Sequence, residues 1–588
     1  MPSYRAPVDD MLFLLRDVFD TPTRFANLPG CADATDDLIA AILEEAGKFC
    51  ENELSPINRI GDETGTRFEA GEVTTAPGLR EAYANFVAGG WPALSLPPEH
   101  GGQGLPKTLQ FLVDEMIAGA NMSFGLFPGL TRGAVEAIEA HASPELKAIW
   151  LPRMVSGEWT GAMDLTEPQA GSDLGVVRTK AEPLGDGRYA ITGTKIFITA
   201  GDHDLASNII HLVLVRLPDA APGTKGISLV LVPKRLLDES GELGEHNHVT
   251  CGSIEHKMGI KASPTCVMNF DGATGWLLGE PGRGLAAMFT MMNAERLMVG
   301  VQGIGIAEAA YQGAAAYAKE RIQGRDLETG GPAHIVAHPD VRRNLLTARA
   351  WAEGMRALAV WTALQLDTSL HHPDPAERKR ADGLVALITP VIKAASTDLG
   401  LEAAIAAQQV FGGHGYIREW GMEQLVRDVR IAQLYEGTNG IQAMDLVGRK
   451  LQQEGGALPR AFFAMIEATL STIANEPELA FCRDGLARLL GHARHTTESL
   501  MAMAKADPHA AGAGATDFLR LLALTGQGWM WTEMVKAARK RPENDPLRAI
   551  KPALAAFFFA RLAPQAEALA ASVLAGSRPV MGLPADLF

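Results

Sequence analysis

Apolar residues recur at helical spacing over residues 36–60 and 77–90, and again over 108–156. A turn-rich stretch, Pro97-Pro98-Glu99-His100-Gly101-Gly102-Gln103-Gly104, interrupts them. Past residue 160 the texture changes. From 161 to about 280 the chain holds short β-rich runs between turn residues. Examples are Lys195-Ile196-Phe197-Ile198-Thr199, His211-Leu212-Val213-Leu214-Val215 and Ile227-Ser228-Leu229-Val230-Leu231-Val232. A period of 3.6 returns over 284–323, 336–367, 380–413 and 424–453. The tail from about 455 to 588 is again helical, with breaks near 506–516 and 541–547. Helices, a β module, then helices make a segregated α+β chain rather than an alternating βαβ one. The expected domains are 1–160 (N-terminal extension and helices), 161–280 (β), 281–453 (helical) and 454–588 (C-terminal helical extension).

Several features read as structural. Gly300, Gly303 and Gly305 sit inside a helical pattern and lack the dinucleotide fingerprint spacing, so close helix packing accounts for them. Residues 236–248 and 365–382 read as surface loops, and the pair His371-His372 in the second lacks a nearby second ligand pair. Trp529, Trp531 and Phe557-Phe558-Phe559 read as core anchors of the tail. No apolar run reaches about 18 residues, so no membrane span is expected.

A chain of 588 residues is too long for one core. Its 47% hydrophobic and 21% charged content is that of a globular protein. The net charge of -16 argues against nucleic acid as the main partner, although local basic residues can still form a pocket for an anionic ligand. Five scattered cysteines, at 31, 50, 251, 266 and 482, have neither metal-ligand spacing nor the look of a disulfide framework. Reduced, mostly buried thiols in a cytoplasmic protein are expected. The opening residues lack a basic region followed by an apolar core, so no signal peptide is expected.

Three weak motifs acquire meaning together. They are Thr166-Glu167-Pro168-Gln169-Ala170-Gly171-Ser172-Asp173, Phe411-Gly412-Gly413-His414-Gly415-Tyr416 and Tyr435-Glu436-Gly437-Thr438. With Lys257-Met258-Gly259-Ile260-Lys261, Gly279-Glu280-Pro281-Gly282-Arg283-Gly284 and Glu295-Arg296, they resemble the acyl-CoA dehydrogenase family over roughly residues 40–450. The opening and the C-terminal extension resemble a long bacterial subgroup of that family. The resemblance implies a helical N-terminal domain, a central β-barrel-like domain, a helical bundle and bound FAD. It also implies an acyl-CoA substrate, a homodimer, and electron-transferring flavoprotein as electron acceptor.

The implied reaction removes a proton from Cα and a hydride from Cβ of an acyl thioester. A carboxylate suits the proton if burial raises its pKa toward neutrality. By resemblance that base is Glu436. Its backbone NH would hold the thioester oxygen, with Gly437 beside the substrate. Glu295 is the alternative base, since some family members carry theirs on a helix at that position. For the flavin the resemblance implies Thr166 at the pyrimidine edge, Ser172 at the pyrophosphate and bound acyl-CoA, Phe197 against the isoalloxazine and Thr199 near N5. Arg321, Gln409 and Gly413 would reach the cofactor of a neighbouring subunit, and Thr438 would make a further flavin contact. Asn293 and Arg296 match the CoA and acyl-pocket region. Glu167 and Asp173 also read as ordinary turn or cap residues, and His414 as turn chemistry. No metal is implied. The acyl group is expected to be 3-(methylthio)propanoyl or a straight fatty chain, because a γ sulfur is nearly isosteric with CH2. An oxidase using oxygen and a non-catalytic flavin-binding scaffold are the competing readings.

Overall fold

Asn208–Arg216 and Ile227–Pro233 are buried along almost their entire lengths. Continuous apolar runs of this kind belong to strands covered on both faces. A computed structural model describes residues 4–588. In it the two strands pair antiparallel. Ile227–Pro233 also pairs with Thr265–Leu278, which pairs with Arg188–Thr199. Lys180–Pro183 connects Arg188–Thr199 to the end of Asn208–Arg216, so these strands close on themselves. Val249–Ile254 and Trp159–Asp164 are appended to the ring. Closure removes exposed edges, and Ile191, Ile209, Val213, Val230, Met268 and Phe270 fill the interior.

This barrel belongs to a body formed by Phe49–Leu105 and Ala120–Glu295. Trp150, on the helix Pro144–Val155, packs on Trp159 and Trp276 at 5.6 Å each. The segment expected to loop over 236–248 is instead a hairpin, Arg235–Leu237 with Leu243–His246. Its Gly and acidic residues turn the chain without preventing short strand pairing.

The second body holds the residues up to Lys48, Pro106–Gly119 and Arg296–Phe588. Its helices cross closely where glycine allows. A Cβ on Gly303 would lie 2.4 Å from the Ser396 carbonyl oxygen, and one on Gly305 would lie 2.5 Å from that of Glu115. Three helices begin at Asp-Pro pairs, at Pro375, Pro508 and Pro546. In each the Asp side chain accepts a backbone NH of the first turn while proline occupies the first helical position. This device corrects two expectations. The loop expected over 365–382 shrinks to 372–374, because Pro339–His371 and Pro375–Val410 run into it. The break expected over 506–516 is confined to Asp507, because Pro508–Ala538 is helical throughout. The helical pattern over 424–453 is also split, into Met422–Arg430 and Asn439–Gly448. Pro375–Val410 is the one helix among the described residues that is long and apolar enough to cross a membrane, yet 83% of its apolar window lies inside the protein.

Buried charge ties this body together. The Arg356 guanidinium donates to Asp10 at 2.6 Å, Glu115 at 2.5 Å and Glu308 at 2.8 Å. Lys551, in the C-terminal extension, donates to Asp10 and to Glu353 at 2.7 Å. Burial pushes the Glu115 carboxyl up to about 7 despite its Arg356 partner. Trp531 and Phe558 are fully buried nearby in the tail's core, as the tail's aromatic content implied.

Candidate active site

The turn that carries Glu436 lies between the two short helices. The Leu434 and Tyr435 amides both donate to the Ile431 carbonyl, ending the first helix in a tight turn. Glu436 and Gly437 follow with φ of 55° and 83°. Left-handed backbone is ordinary for glycine and costly for glutamate. Thr438 restores extended backbone, and its hydroxyl accepts the Ile441 amide to cap the next helix. The turn is held from outside. Gln442 Nε2 donates to the Glu436 carbonyl at 3.0 Å. Lys393 Nζ donates to the Gly437 carbonyl at 2.8 Å and to Asn439 Oδ1 at 2.9 Å. Asn439 Nδ2 in turn donates to Asp398 at 2.7 Å.

Burial raises the Glu436 carboxyl to about 6, with Arg296 and then Lys393 opposing part of the rise. Arg296 is itself buried, and desolvation lowers its pKa against the pull of Asp445 and Glu436. A carboxylate so placed is ionised at neutral pH yet basic enough to accept a carbon-bound proton.

Thr166, Ser172, Phe197 and Thr199, four of the residues assigned to the flavin, lie in the barrel body. The Ile196 amide donates to the Thr166 carbonyl at 2.9 Å, which joins the Thr166 segment to the strand carrying Phe197 and Thr199. Behind Thr166, the Glu167 carboxylate accepts from Lys195 Nζ at 2.8 Å, the Thr179 hydroxyl at 2.6 Å and the Arg178 amide at 2.7 Å. Burial alone would raise Glu167, but Lys195 and these donors hold it down at about 2. Glu167 is therefore an anchor for the segment, and Asp173 caps the Gly175 amide at 2.8 Å. Ser172 is exposed on the turn between them.

Phe197 has φ of 61° and is 59% exposed. Ile198 pairs with Cys266 and Lys195 with Met268, so two residues, Ile196 and Phe197, face the single Val267. This bulge re-aims the ring out of the strand's alternation. An exposed aromatic ring on the strand that ends at Thr199 and bonds the Thr166 segment offers an apolar face and hydroxyls that suit a flat, hydrogen-bonding heteroaromatic ring such as isoalloxazine. In the same body, a cavity of about 760 Å3 is lined in part by Gly175, Arg178, Lys180, Arg216 and Gly223.

The alternative base is placed differently. Glu295 is buried on the helix Gly284–Glu320, and its Oε1 would lie 2.9 Å from a Cβ on Gly133. The missing side chain of Gly133 makes the room that this carboxyl occupies. Asn293, two residues earlier, is exposed.

Arg321 is exposed just beyond the helix end at Glu320, where its carbonyl accepts the Ile335 amide at the root of a hairpin. Gln409 and Gly413 are exposed at the end of Pro375–Val410. Tyr317 joins these two regions by stacking on Phe411 at 4.1 Å and bonding His414 Nδ1 at 2.9 Å. His414 also stacks on Trp420 at 4.5 Å, so it packs the turn.

The body with the barrel thus holds Thr166, Ser172, Phe197, Thr199, Asn293 and Glu295, and the helical body holds Glu436, Gly437, Thr438, Arg296, Arg321, Gln409 and Gly413. Sequence reasoning missed Lys393, Asn439, Gln442 and Lys195. The available signal was a lone lysine inside an apolar run, as in Val391-Ile392-Lys393-Ala394-Ala395.

The chain matches "Acyl-CoA dehydrogenase, N-terminal domain" over residues 37–158, "middle domain" over 162–273 and "C-terminal domain" over 282–451. A fourth match, "Acetyl-CoA dehydrogenase C-terminal like", covers 462–584. It is 45% identical over 533 residues, 90% of each chain, to 3-methylmercaptopropionyl-CoA dehydrogenase of Ruegeria pomeroyi. It is 35% identical over 551 residues, again 90% of each, to the broad-specificity linear acyl-CoA dehydrogenase FadE5 of Mycobacterium tuberculosis. Caenorhabditis elegans ACDH-11, solved in complex with C11-CoA, shares the fold, with a TM-score of 0.78 at 20% identity over 95% of this chain and 91% of that one. A Bacillus anthracis acyl-CoA dehydrogenase complexed with FAD does likewise, at 0.75 and 21% over 97% and 92%. With these matches spanning both the helical and the barrel segments, the chain belongs to the acyl-CoA dehydrogenase family of oxidoreductases.

Proposed function

We propose that the protein converts 3-(methylthio)propanoyl-CoA to its trans-2-enoyl thioester, with Glu436 as the base and FAD as the oxidant. The observation that carries the base assignment is the turn itself. Glu436 is held left-handed, partly buried and raised to about 6, between two cations that keep it ionised at pH 7. Its carboxylate takes the Cα proton, the electron pair forms the Cα–Cβ double bond, and the Glu436 amide holds the thioester oxygen as negative charge develops there. Bound FAD would supply the hydride acceptor for Cβ.

Phe197, Thr166 and Thr199 would hold and orient the isoalloxazine, and Glu167 keeps the Thr166 segment in place. Ser172 contacts the pyrophosphate, and Arg178 and Lys180 beside the 760 Å3 cavity suit the phosphates of coenzyme A. These cations answer the protein's overall negative charge. Asn293 bonds the pantetheine. The substrate choice rests on the Ruegeria pomeroyi relative, whose name specifies the thioether acyl group. FadE5, named for broad linear specificity, supports a straight-chain fatty acyl-CoA as the second reading.

An anaerobic spectral titration of the purified yellow protein tests all of this. 3-(Methylthio)propanoyl-CoA should bleach the flavin faster than butyryl-CoA or octanoyl-CoA. Faster bleaching by octanoyl-CoA favours the second reading, and no bleaching by any acyl-CoA supports a non-catalytic scaffold. Reoxidation by electron-transferring flavoprotein, rather than by oxygen, is the expected second half-reaction.

A further inference from the structure

Lys393 lies in the middle of the helix Pro375–Val410 and is completely buried. A buried ammonium loses its hydration and is tolerated only with good acceptors. The Gly437 carbonyl at 2.8 Å and Asn439 Oδ1 at 2.9 Å accept from it, and both belong to the turn that carries Glu436. Asn439 is oriented to receive it by donating to the Ala394 carbonyl, the Thr397 hydroxyl and Asp398. Asp398 is also fixed by Gln433 at 2.6 Å. The helix therefore grips the turn on both sides of the left-handed pair.

We propose that Lys393 is a positioning residue for the reaction: its buried ammonium fixes the turn through Gly437 and Asn439 and supplies charge that keeps Glu436 ionised. The inference rests on the reading of Glu436 as the base. The charged groups facing Glu436 are Arg296 from the helix Gly284–Glu320 and Lys393 from Pro375–Val410. Asp398 acts on Lys393, while Asp445 and Arg449 act on Arg296. Arg296 is a permanent cation, but Lys393 is not. Burial lowers its pKa to about 8, against the pull of Glu436 and Asp398. Flavin reduction should rise with pH as Glu436 ionises and fall again as Lys393 loses its proton.

The experiment compares Lys393→Met and Lys393→Arg with the wild-type holoenzyme from pH 5 to 10. Single-turnover flavin reduction is one readout. The other is the infrared carboxyl signal of Glu436, taken as the difference from Glu436→Gln. With Lys393→Met, the acid limb and the infrared titration should both move up by about one unit or more, cutting the rate at pH 6 by about fivefold. The alkaline limb should disappear. Lys393→Arg should restore the acid limb and show no alkaline limb below pH 10. Unchanged acid titration in Lys393→Met overturns the proposal and leaves Lys393 a packing residue. Should that variant not fold, the wild-type carboxylate band decides: a perturbation between pH 7 and 9 is expected, and its absence overturns the proposal. If Glu436→Gln reduces flavin as fast as wild type, the base assignment fails instead, and the infrared titration still tests the coupling of Lys393 to Glu436.

Discussion

Two non-glycine residues in left-handed backbone, Phe197 and Glu436, are the side chains assigned to opposite halves of the reaction. Such conformations cost about 1–3 kcal/mol each and persist where surrounding contacts over-determine them. At Phe197 the cause is the strand bulge, and at Glu436 it is the grip of Lys393 and Gln442. Glu436→Gln should retain FAD and lower flavin reduction by about 100- to 10,000-fold, measured by stopped flow. Glu295→Gln should cost far less, and the reverse order of severity would reassign the base. The raised carboxyl has a stability cost of its own. Folded Glu436 binds its proton more tightly than the unfolded chain does, so this stabilisation is complete below about 4.5 and lost as pH rises through about 6. Above that, ionised Glu436 costs up to about 2 kcal/mol. Glu436→Gln should therefore melt higher than wild type at pH 7.5, with the two converging at pH 5.

At the scale of elements, the buried charges explain why the extension is part of the catalytic body rather than an appendage. Lys551→Met leaves Asp10 to Arg356 and Glu353 to Arg349, removes the cation they share, and should destabilise the protein by about 1–3 kcal/mol, read from urea unfolding. The helices and barrel strands were legible because apolar period reports burial directly. The Asp-Pro helix starts are a sequence signal as well, since Asp at the cap and Pro in the first turn place helix beginnings at Pro375 and Pro508 inside stretches whose polar composition resembles loop. The gap between Met422–Arg430 and Asn439–Gly448 was not legible in the apolar period, although the resemblance implies a turn at Tyr435-Glu436-Gly437-Thr438. Ile431, Leu434 and Ile441 keep a near-helical apolar spacing across it, and the left-handed pair that breaks it depends on a lysine some 40 residues earlier. The bulge at Phe197 was hidden for a similar reason, since phenylalanine gives no local sign of positive φ. Motif resemblance proposes the residues for the chemistry, whereas Lys393, Lys195 and Asn439, which hold the turn and the segment that carry two of them, look in sequence like ordinary helix, strand and turn residues.

For the whole molecule, the exposure of Arg321, Gln409 and Gly413 fits the expectation that they serve a neighbouring subunit's cofactor. Tyr416, 85% exposed beside them, adds an aromatic surface of the kind interfaces cover. The holoprotein should sediment as a homodimer. Arg321→Ala should release FAD more readily without lowering the apoprotein's melting temperature, because it removes a phosphate contact and no core volume. A monomer that holds FAD tightly would contradict this arrangement. The bond between Lys551 and Asp10 also sets a timetable. Its partners are 541 residues apart, and a ribosome adding about 5–20 residues per second needs roughly half a minute to two minutes to cover that distance. Throughout that interval the nascent amino-terminal helix has no lysine to dock against, and the helical body stays unfinished however early the barrel forms. Chaperone occupancy on translating ribosomes should therefore persist until Lys551 has emerged, and messages truncated before codon 551 should yield chains destined for proteolysis rather than a smaller working enzyme.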